Sequence, residues 1–254
     1  MVTFTGGEPT QRDDIVKLVE HAKKFVTRLN TNGINVTTEL SRELVKAGLD
    51  SMQVTLYSYD ENIHNELVGA NRFFDTVAGI KNALEAGLDV SINTPLCKKN
   101  ADYIKTLEFA NDLGVRFVTA SGLILTGMAD INHTEYDLAG AELARIITEA
   151  KRYCDENNME IDFTSPGLID KAILEGQGMN VPMCGACLSN MAIAPDGSVV
   201  PCQSWLGDGA SLGNILTDDF SMIWYNPDCV RLRTMDEVSS LSCPFRTGKE
   251  DGGE

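Results

Sequence analysis

The chain has 254 residues, enough for one large domain or one and a half, with 43% apolar and 23% charged residues. Lys+Arg 21 against Asp+Glu 37 gives a formal charge of −16, and no basic run is present, which argues against a nucleic-acid-binding surface. No stretch is apolar and long enough to span a bilayer, and no charged leader precedes an apolar segment, so neither membrane insertion nor secretion is expected.

Taken in chain order, Val2–Thr5 is a short β-type run broken by Gly6-Gly7-Glu8-Pro9. Residues 10–26 place Ile15, Leu18, Val19, Ala22, Phe25 and Val26 on one helical stripe. A strand over 27–31 ends at the turn signal Thr31-Asn32-Gly33, and a helix over 37–47 closes at Gly48. Ser51–Tyr57 reads as a strand, 74–86 as a helix closed by Gly87, and Leu88–Thr94 as a strand. The scheme repeats as helix 101–113, Gly114, strand 115–120, helix 134–157 and strand 160–164. Helix, glycine and strand in alternation predict a parallel α/β architecture of five or six strands. The Gly/Pro-rich stretch 165–183 is the expected linker.

The C-terminal third carries the strongest chemical signal. Cys184, Cys187 and Cys202 lie in Cys-x2-Cys-x14-Cys, and Cys243 follows. Two thiolates separated by two residues can hold one metal centre from a single tight turn. A third returns on the far strand of an Ala192–Asp196/Ser198–Cys202 hairpin, after Pro195-Asp196-Gly197. Such a set suits a structural zinc or an iron–sulfur cluster, and the spacing alone does not choose. Seven cysteines, an odd count with a CxxC, suggest a reducing compartment, and a cytoplasmic protein is expected. Cys154 shares an apolar helical stripe and reads as core, Cys97 as a loop thiol, and Cys229 as a buried small hydrophobe or reserve ligand. His21, His64 and His133 show no metal-ligand spacing.

In parallel βα folds, ligands collect at the C-terminal ends of strands. Gly6-Gly7-Glu8, Thr31-Asn32, Thr55 and Tyr57 all fall at such positions. With GGEP between a strand and an amphipathic helix, and CGACLSNMAIAPDGSVVPC followed by Gly213-Asn214-Ile215, Phe220–Trp224, Arg231/Arg233 and Cys243-Pro244, the chain resembles the radical S-adenosylmethionine (SAM) superfamily. The resemblance is to members with a C-terminal auxiliary-cluster domain of the SPASM or twitch type. It implies a partial (β/α)6 barrel over 1–164, lacking its first strand and helix, a linker over 165–183, and a small α+β cluster domain over 184–254.

The resemblance further implies that Gly6, Gly7 and Glu8 hold the amino group of SAM, with Thr31 and Asn32 beside them, Thr55 at a SAM contact and Asn93 near the ribose. Tyr57 falls at or beside a position often occupied by Asp in peptide-modifying members, which makes it a weak catalytic candidate. Cys184, Cys187, Cys202 and Cys243 would ligate an auxiliary [4Fe–4S] cluster. A second auxiliary cluster has no support, since Arg246 and Gly252 stand where further cysteines of the full pattern belong.

The implied activity is formation of a 5′-deoxyadenosyl radical for hydrogen abstraction from a peptide or small-molecule substrate, with a flavodoxin or ferredoxin as reductant. One departure bears on this: the CxxxCxxC loop that holds the catalytic [4Fe–4S] cluster in that superfamily occurs nowhere in the sequence. The chain is therefore expected to be a fragment of a longer enzyme, inactive alone. A catalytically inactive iron–sulfur scaffold and a structural zinc module are the alternatives.

Overall fold

A computed structural model describes residues 1–123, 133–206 and 209–244. Its described residues divide into two compact units, 1–123 with 135–164, and 133–134 with 165–206 and 209–244.

The first unit contains β1 (Val2–Phe4), α1 (Ile15–Ala22), β2 (Thr27–Thr31), α2 (Thr38–Ala47), β3 (Ser51–Thr55), α3 (Glu61–Val68) and α4 (Phe73–Glu85). These are followed by β4 (Asp89–Pro95), α5 (Tyr103–Asp112), β5 (Phe117–Ser121), the short α6 (His133–Tyr136), whose first two residues are counted with the second unit, α7 (Gly140–Glu156) and β6 (Glu160–Phe163). The six strands pair in sequential order, all parallel. Right-handed crossovers between strands taken in that order lay every helix on the same face.

That winding explains the strand sequences. Leu29, Met52, Val54, Ile92, Val118, Ala120, Ile161 and Phe163 alternate onto the helix-covered face and are buried. The intervening residues, among them Asn30, Gln53, Asn93 and Thr119, form the opposite, polar face. Period-two patterning in a parallel sheet marks one covered face, since strands covered on both sides read as continuous apolar runs.

The helices are placed by local chemistry. Thr37 caps α2 by accepting from the Leu40 amide, and Gly48 ends it in a left-handed conformation. Asp60 caps α3 through the Asn62 and Ile63 amides. One contact ties α4 to the end of β2: a Cβ at Gly79 would lie 2.0 Å from the Gly33 carbonyl oxygen. The pair can approach so closely only because residue 79 has no side chain.

Three elements differ from the expectation. Helix α1 stops at Ala22, and Phe25 and Val26 are 59% exposed in the turn before β2 rather than on its stripe. Helix α3 was not anticipated, because its buried residue is His64 rather than an apolar one. The span 134–157 is two helices, α6 and α7, interrupted around Asp137–Ala139.

The second unit holds α8 (Lys171–Gly176), an antiparallel sheet of β7 (Ala192–Ile193), β8 (Ser198–Val200) and β9 (Gly213–Asn214), and the short helices α9 (Phe220–Trp224), α10 (Pro227–Arg233) and α11 (Glu237–Ser240). The stretch expected as a plain linker thus contains a helix, capped by Asp170 accepting from the Ala172 amide. The hairpin pairs Ala192 with Val200 and Ile193 with Val199. It is shorter than expected, and Cys202 lies two residues beyond its second strand. Cys187, Val199, Leu212, Ile223, Cys229 and Leu232 share one core, against which Cys184, Cys202, Met191 and Met235 pack.

Candidate functional site

The loop after β1 is held by one carboxylate. Gly6 adopts φ +139, a conformation that side chains rarely take, and a Cβ on Gly6 or Gly7 would meet no atom within 4 Å. Beside this open backbone, Glu8 turns back into the protein. Its Oε1 accepts from the Thr10 amide at 3.0 Å, the Thr10 hydroxyl at 2.5 Å and the Thr31 hydroxyl at 2.6 Å, and its Oε2 accepts from the Asn32 amide at 2.7 Å. Thr31 in turn accepts from the Gly33 amide, and the Asn32 side chain from the Ile34 amide. The structure therefore brings Gly6, Gly7, Glu8, Thr31 and Asn32 together, but gives the carboxylate a positioning part that the sequence did not reveal. What the loop presents outward is the backbone of Gly6 and Gly7, with carbonyl oxygens suited to a cation or ammonium.

Further along the same strand ends, Thr55 pairs in register with Asn93 and Asn93 with Thr119. Asn93 Oδ1 accepts from the Thr119 hydroxyl at 2.9 Å, which fixes its amide orientation. Tyr57 follows β3 in a packed setting: its amide donates to His64 Nδ1 at 3.3 Å, and its carbonyl accepts from the Asn100 side chain at 2.8 Å. The Tyr57 and His64 rings meet edge-on at 6.1 Å. Burial, with the nearby Cys97 thiol, pushes the phenol up from its ordinary value. Tyr57 is thus a neutral hydrogen-bonding group at physiological pH, poorly suited to act as a base. Cys97 follows β4 as expected of a loop thiol but is buried, and Cys154 lies on α7, on the buried face of that helix.

In the second unit, the Cys184-x2-Cys187 segment forms a tight knuckle. The Gly185 carbonyl accepts from the amides of Leu188, Ser189 and Asn190, and Cys187 takes the left-handed φ +59. The Cys187 amide donates to the Asn190 carbonyl at 2.9 Å and the Pro201 carbonyl at 3.2 Å, which sets the knuckle against the hairpin. The Cys184 amide donates to the Ser240 carbonyl at 2.7 Å, which brings in the segment leading to Cys243.

The thiols sense one another. Burial raises the Cys184 thiol, with Cys243 and Cys202 adding to the rise, while the Ala186 amide opposes it. Burial likewise raises Cys202, opposed by donors from Ser204 and Trp205, with Cys243 again nearby. The Cys187 thiol is pushed up to about 12, first by burial and then by its hydrogen bond with the Cys229 thiol. Arg233 donates to Cys229 Sγ at 3.6 Å and to the Trp224 carbonyl at 3.1 Å, with its guanidinium 3.9 Å from the centre of the Trp224 ring. This arginine sets a positive charge beside the cysteine group, a contribution that its sequence position alone did not disclose.

The donor set is chemically apt for a metal cluster, because thiolates are the usual iron–sulfur ligands and N–H donors to sulfur tune such centres. Among the described residues, no three His, Cys, Asp or Glu side chains are gathered tightly enough to hold a single metal ion. A lone zinc requires four ligands at about 2.3 Å from one point. A cluster instead spreads its thiolates over separate irons. Cys184, Cys202 and Cys243 lie within electrostatic reach of one another, and Cys187 adjoins Cys202.

Two family models match the chain. Residues 1–110 match the radical SAM superfamily, and residues 184–244 match the SPASM iron–sulfur cluster-binding domain. A probable GTP 3′,8-cyclase of Sulfurisphaera tokodaii is 27% identical over 237 residues, covering 87% of this chain and 71% of that protein. A protein of the same description from Saccharolobus islandicus is 31% identical over 141 residues, covering 54% and 46% respectively. Among solved structures, Streptococcus suis SuiB bound to precursor peptide SuiA superposes with TM-score 0.78 at 21% identity. The likeness covers 98% of this chain, which spans only 62% of that one. Among the described residues no helix is long and apolar enough to cross a membrane. Residues 1–110, which hold β1 to β4, thus carry the radical SAM superfamily match and residues 184–244, in the cysteine-bearing unit, the SPASM match, and the chain is similar to radical SAM proteins with a C-terminal SPASM domain.

Proposed function

We propose that the chain is the sheet-and-auxiliary-cluster portion of a radical SAM enzyme that abstracts hydrogen from a peptide or small-molecule substrate. The observation that carries this reading is the convergence of Cys184, Cys187, Cys202 and Cys243 in one unit, joined to a separate unit whose strand ends present an open Gly6-Gly7 backbone. In this reading, those four thiolates hold one auxiliary [4Fe–4S] cluster, which supplies a route for electrons. Cys243 is the fourth ligand rather than Cys229, because Cys243 neighbours both Cys184 and Cys202 whereas Cys229 lies in the core against Cys187 and Arg233.

SAM binds at the strand ends: the Gly6 and Gly7 backbone meets its ammonium, Thr55 a polar contact, and Asn93 the ribose hydroxyls. Glu8 holds the loop in shape by bonding Thr31 and Asn32. The polar face of the sheet then fixes a substrate C–H bond against the reactive carbon, and exclusion of water protects the radical. Homolysis of SAM needs a second cluster held by CxxxCxxC, a motif not found among these 254 residues. Alone, the chain therefore binds iron but releases no 5′-deoxyadenosine. In the full enzyme, a flavodoxin or ferredoxin supplies the electron.

The test is anaerobic reconstitution with iron and sulfide. About four irons per chain, with the brown colour of thiolate-to-iron charge transfer, are expected. Stoichiometric zinc without iron uptake would overturn the assignment. The observation favouring a second reading, an inactive iron–sulfur scaffold, is the same missing motif. It is preferred if supplying the preceding coding segment restores no 5′-deoxyadenosine.

A further inference from the structure

Cys229 is the thiol of the second unit that the proposed ligand set leaves unused. It is fully buried on α10, in one core with Val199, Leu212, Ile223 and Leu232, where an apolar side chain would serve packing equally well. Its sulfur nevertheless has polar partners. Arg233, one turn later on the same helix, donates from Nη1 to Cys229 Sγ at 3.6 Å and to the Trp224 carbonyl at 3.1 Å. The guanidinium lies 3.9 Å from the centre of the Trp224 ring, so stacking and hydrogen bonding together hold its charge in place. The Cys229 thiol in turn is hydrogen-bonded with that of Cys187, which is equally removed from water.

Donor arithmetic fixes the direction of that bond once Cys187 is a ligand. A thiolate has no hydrogen and only accepts, whereas a thiol has one hydrogen to give and a sulfur that accepts weakly. Cys229 Sγ already accepts from Arg233, so the one hydrogen it can give is directed at the Cys187 sulfur. Two neighbouring thiols of the set obtain donors from the backbone: Cys184 from the Ala186 amide, and Cys202 from the Ser204 and Trp205 amides. Cys187 receives an S–H donor with a guanidinium behind it. In a site removed from water, a hydrogen bond and a nearby charge act with little screening. Donors to sulfur and positive charge favour the more negative, reduced form of an iron–sulfur centre, and so raise its potential.

We infer that Cys229 is a positioning residue: its S–H donates to the Cys187 sulfur and, backed by Arg233, sets the reduction potential of the auxiliary centre without ligating it. This rests on the proposed assignment of Cys187 as a cluster ligand.

The test is anaerobic reconstitution of the full chain and its variants with iron and sulfide, followed by iron analysis and by potentiometric titration monitored by electron paramagnetic resonance. Cys229→Ala is expected to keep about four irons per chain. Its reduction equilibrium should shift about threefold to tenfold towards the oxidised form, a potential roughly 30–60 mV lower at about 59 mV per tenfold for one electron. Cys229→Ser, which keeps a donor, should lie closer to the parent. Arg233→Met should lower the potential as well, and the double variant should fall short of the sum of the two shifts, because the arginine acts in part through the thiol.

A parent chain that takes up no iron overturns the cluster assignment, and this inference with it. With the parent loaded, three results overturn the inference alone. They are loss of iron in both Cys229 variants, which would make the residue a ligand or a structural support; an unmoved potential in Cys229→Ala; and fully additive shifts in the double variant.

Discussion

Replacing Glu8 by Gln tests whether its carboxylate shapes the loop or is held in reserve for a ligand. Gln has the same length, but one of its two terminal atoms is an NH2 group. If Gln Oε1 keeps the three bonds from Thr10 and Thr31, its Nε2 must face the Asn32 amide, which now donates to Oε2 at 2.7 Å. Two donors then oppose each other, and the Asn32 N–H loses its partner. An orphaned donor costs about 1–3 kcal/mol, and exchanging charged for neutral acceptors weakens the remaining bonds further. Glu8 is only half-buried, which favours the low end, about 2 kcal/mol in all.

At about 2–4 °C per kcal/mol for a domain of this size, the first unit should melt roughly 4–8 °C lower. Amide exchange should accelerate at Asn32. Glu8→Ala, which removes the tie from the loop to β2 altogether, should be worse. Thermal unfolding by circular dichroism and hydrogen exchange at residues 31–33 are the readouts. Unchanged melting and unchanged Asn32 protection in Glu8→Gln would refute the positioning role and return the carboxylate to the candidate ligands.

Two further outcomes are expected. Cys202→Ala should abolish most iron uptake and expose residues from 165 onward to protease, because metal binding and folding of so small a unit are linked; Cys97→Ala should keep its iron, and equal iron content in the two variants would remove Cys202 from the ligand set. His64 is buried and its pKa is lowered to about 4 by that burial, so the unfolded chain takes up the proton first as pH falls. Stability from this group is complete above about pH 6.5 and declines towards pH 4, by about 3 kcal/mol at most, and His64→Gln should flatten that slope in pH-dependent denaturation; an identical slope would exclude His64 as its source.

The sheet was legible because its punctuation is chemical and local. Thr31-Asn32-Gly33, Gly48, Gly87 and Gly114 end elements for reasons that need no tertiary partner, and β2 occupies the expected residues 27–31. Helix α3 was hidden because its inward residue is a histidine whose burial depends on Tyr57 and Phe73, distant in sequence. Phe25 and Val26 look like a continuation of α1, but the chain must turn there to set Thr27 in the sheet, where its amide donates to Asp50. The cysteine set was legible as a set, since its spacing is its signal. Which thiols neighbour which was not, because Cys243 reaches the others through the Cys184–Ser240 backbone bond, and Arg233 through the packing of α10 beneath Trp224.

The contact between Gly79 and Gly33 limits how the strand ends can move. With the helix backbone seated against the turn carbonyl, and the Thr76 hydroxyl donating to the Asn32 carbonyl at 2.9 Å, residues 31–33 travel with α4 as one body. A ligand arriving at these strand ends cannot be admitted by a shift of β2 without sliding a thirteen-residue helix. Accommodation has to come from the other side of the loop, at Gly6 and Gly7, where a side chain would meet nothing. The strand ends thus have one fixed side, at residues 31–33, and one open side, two residues wide, at Gly6 and Gly7.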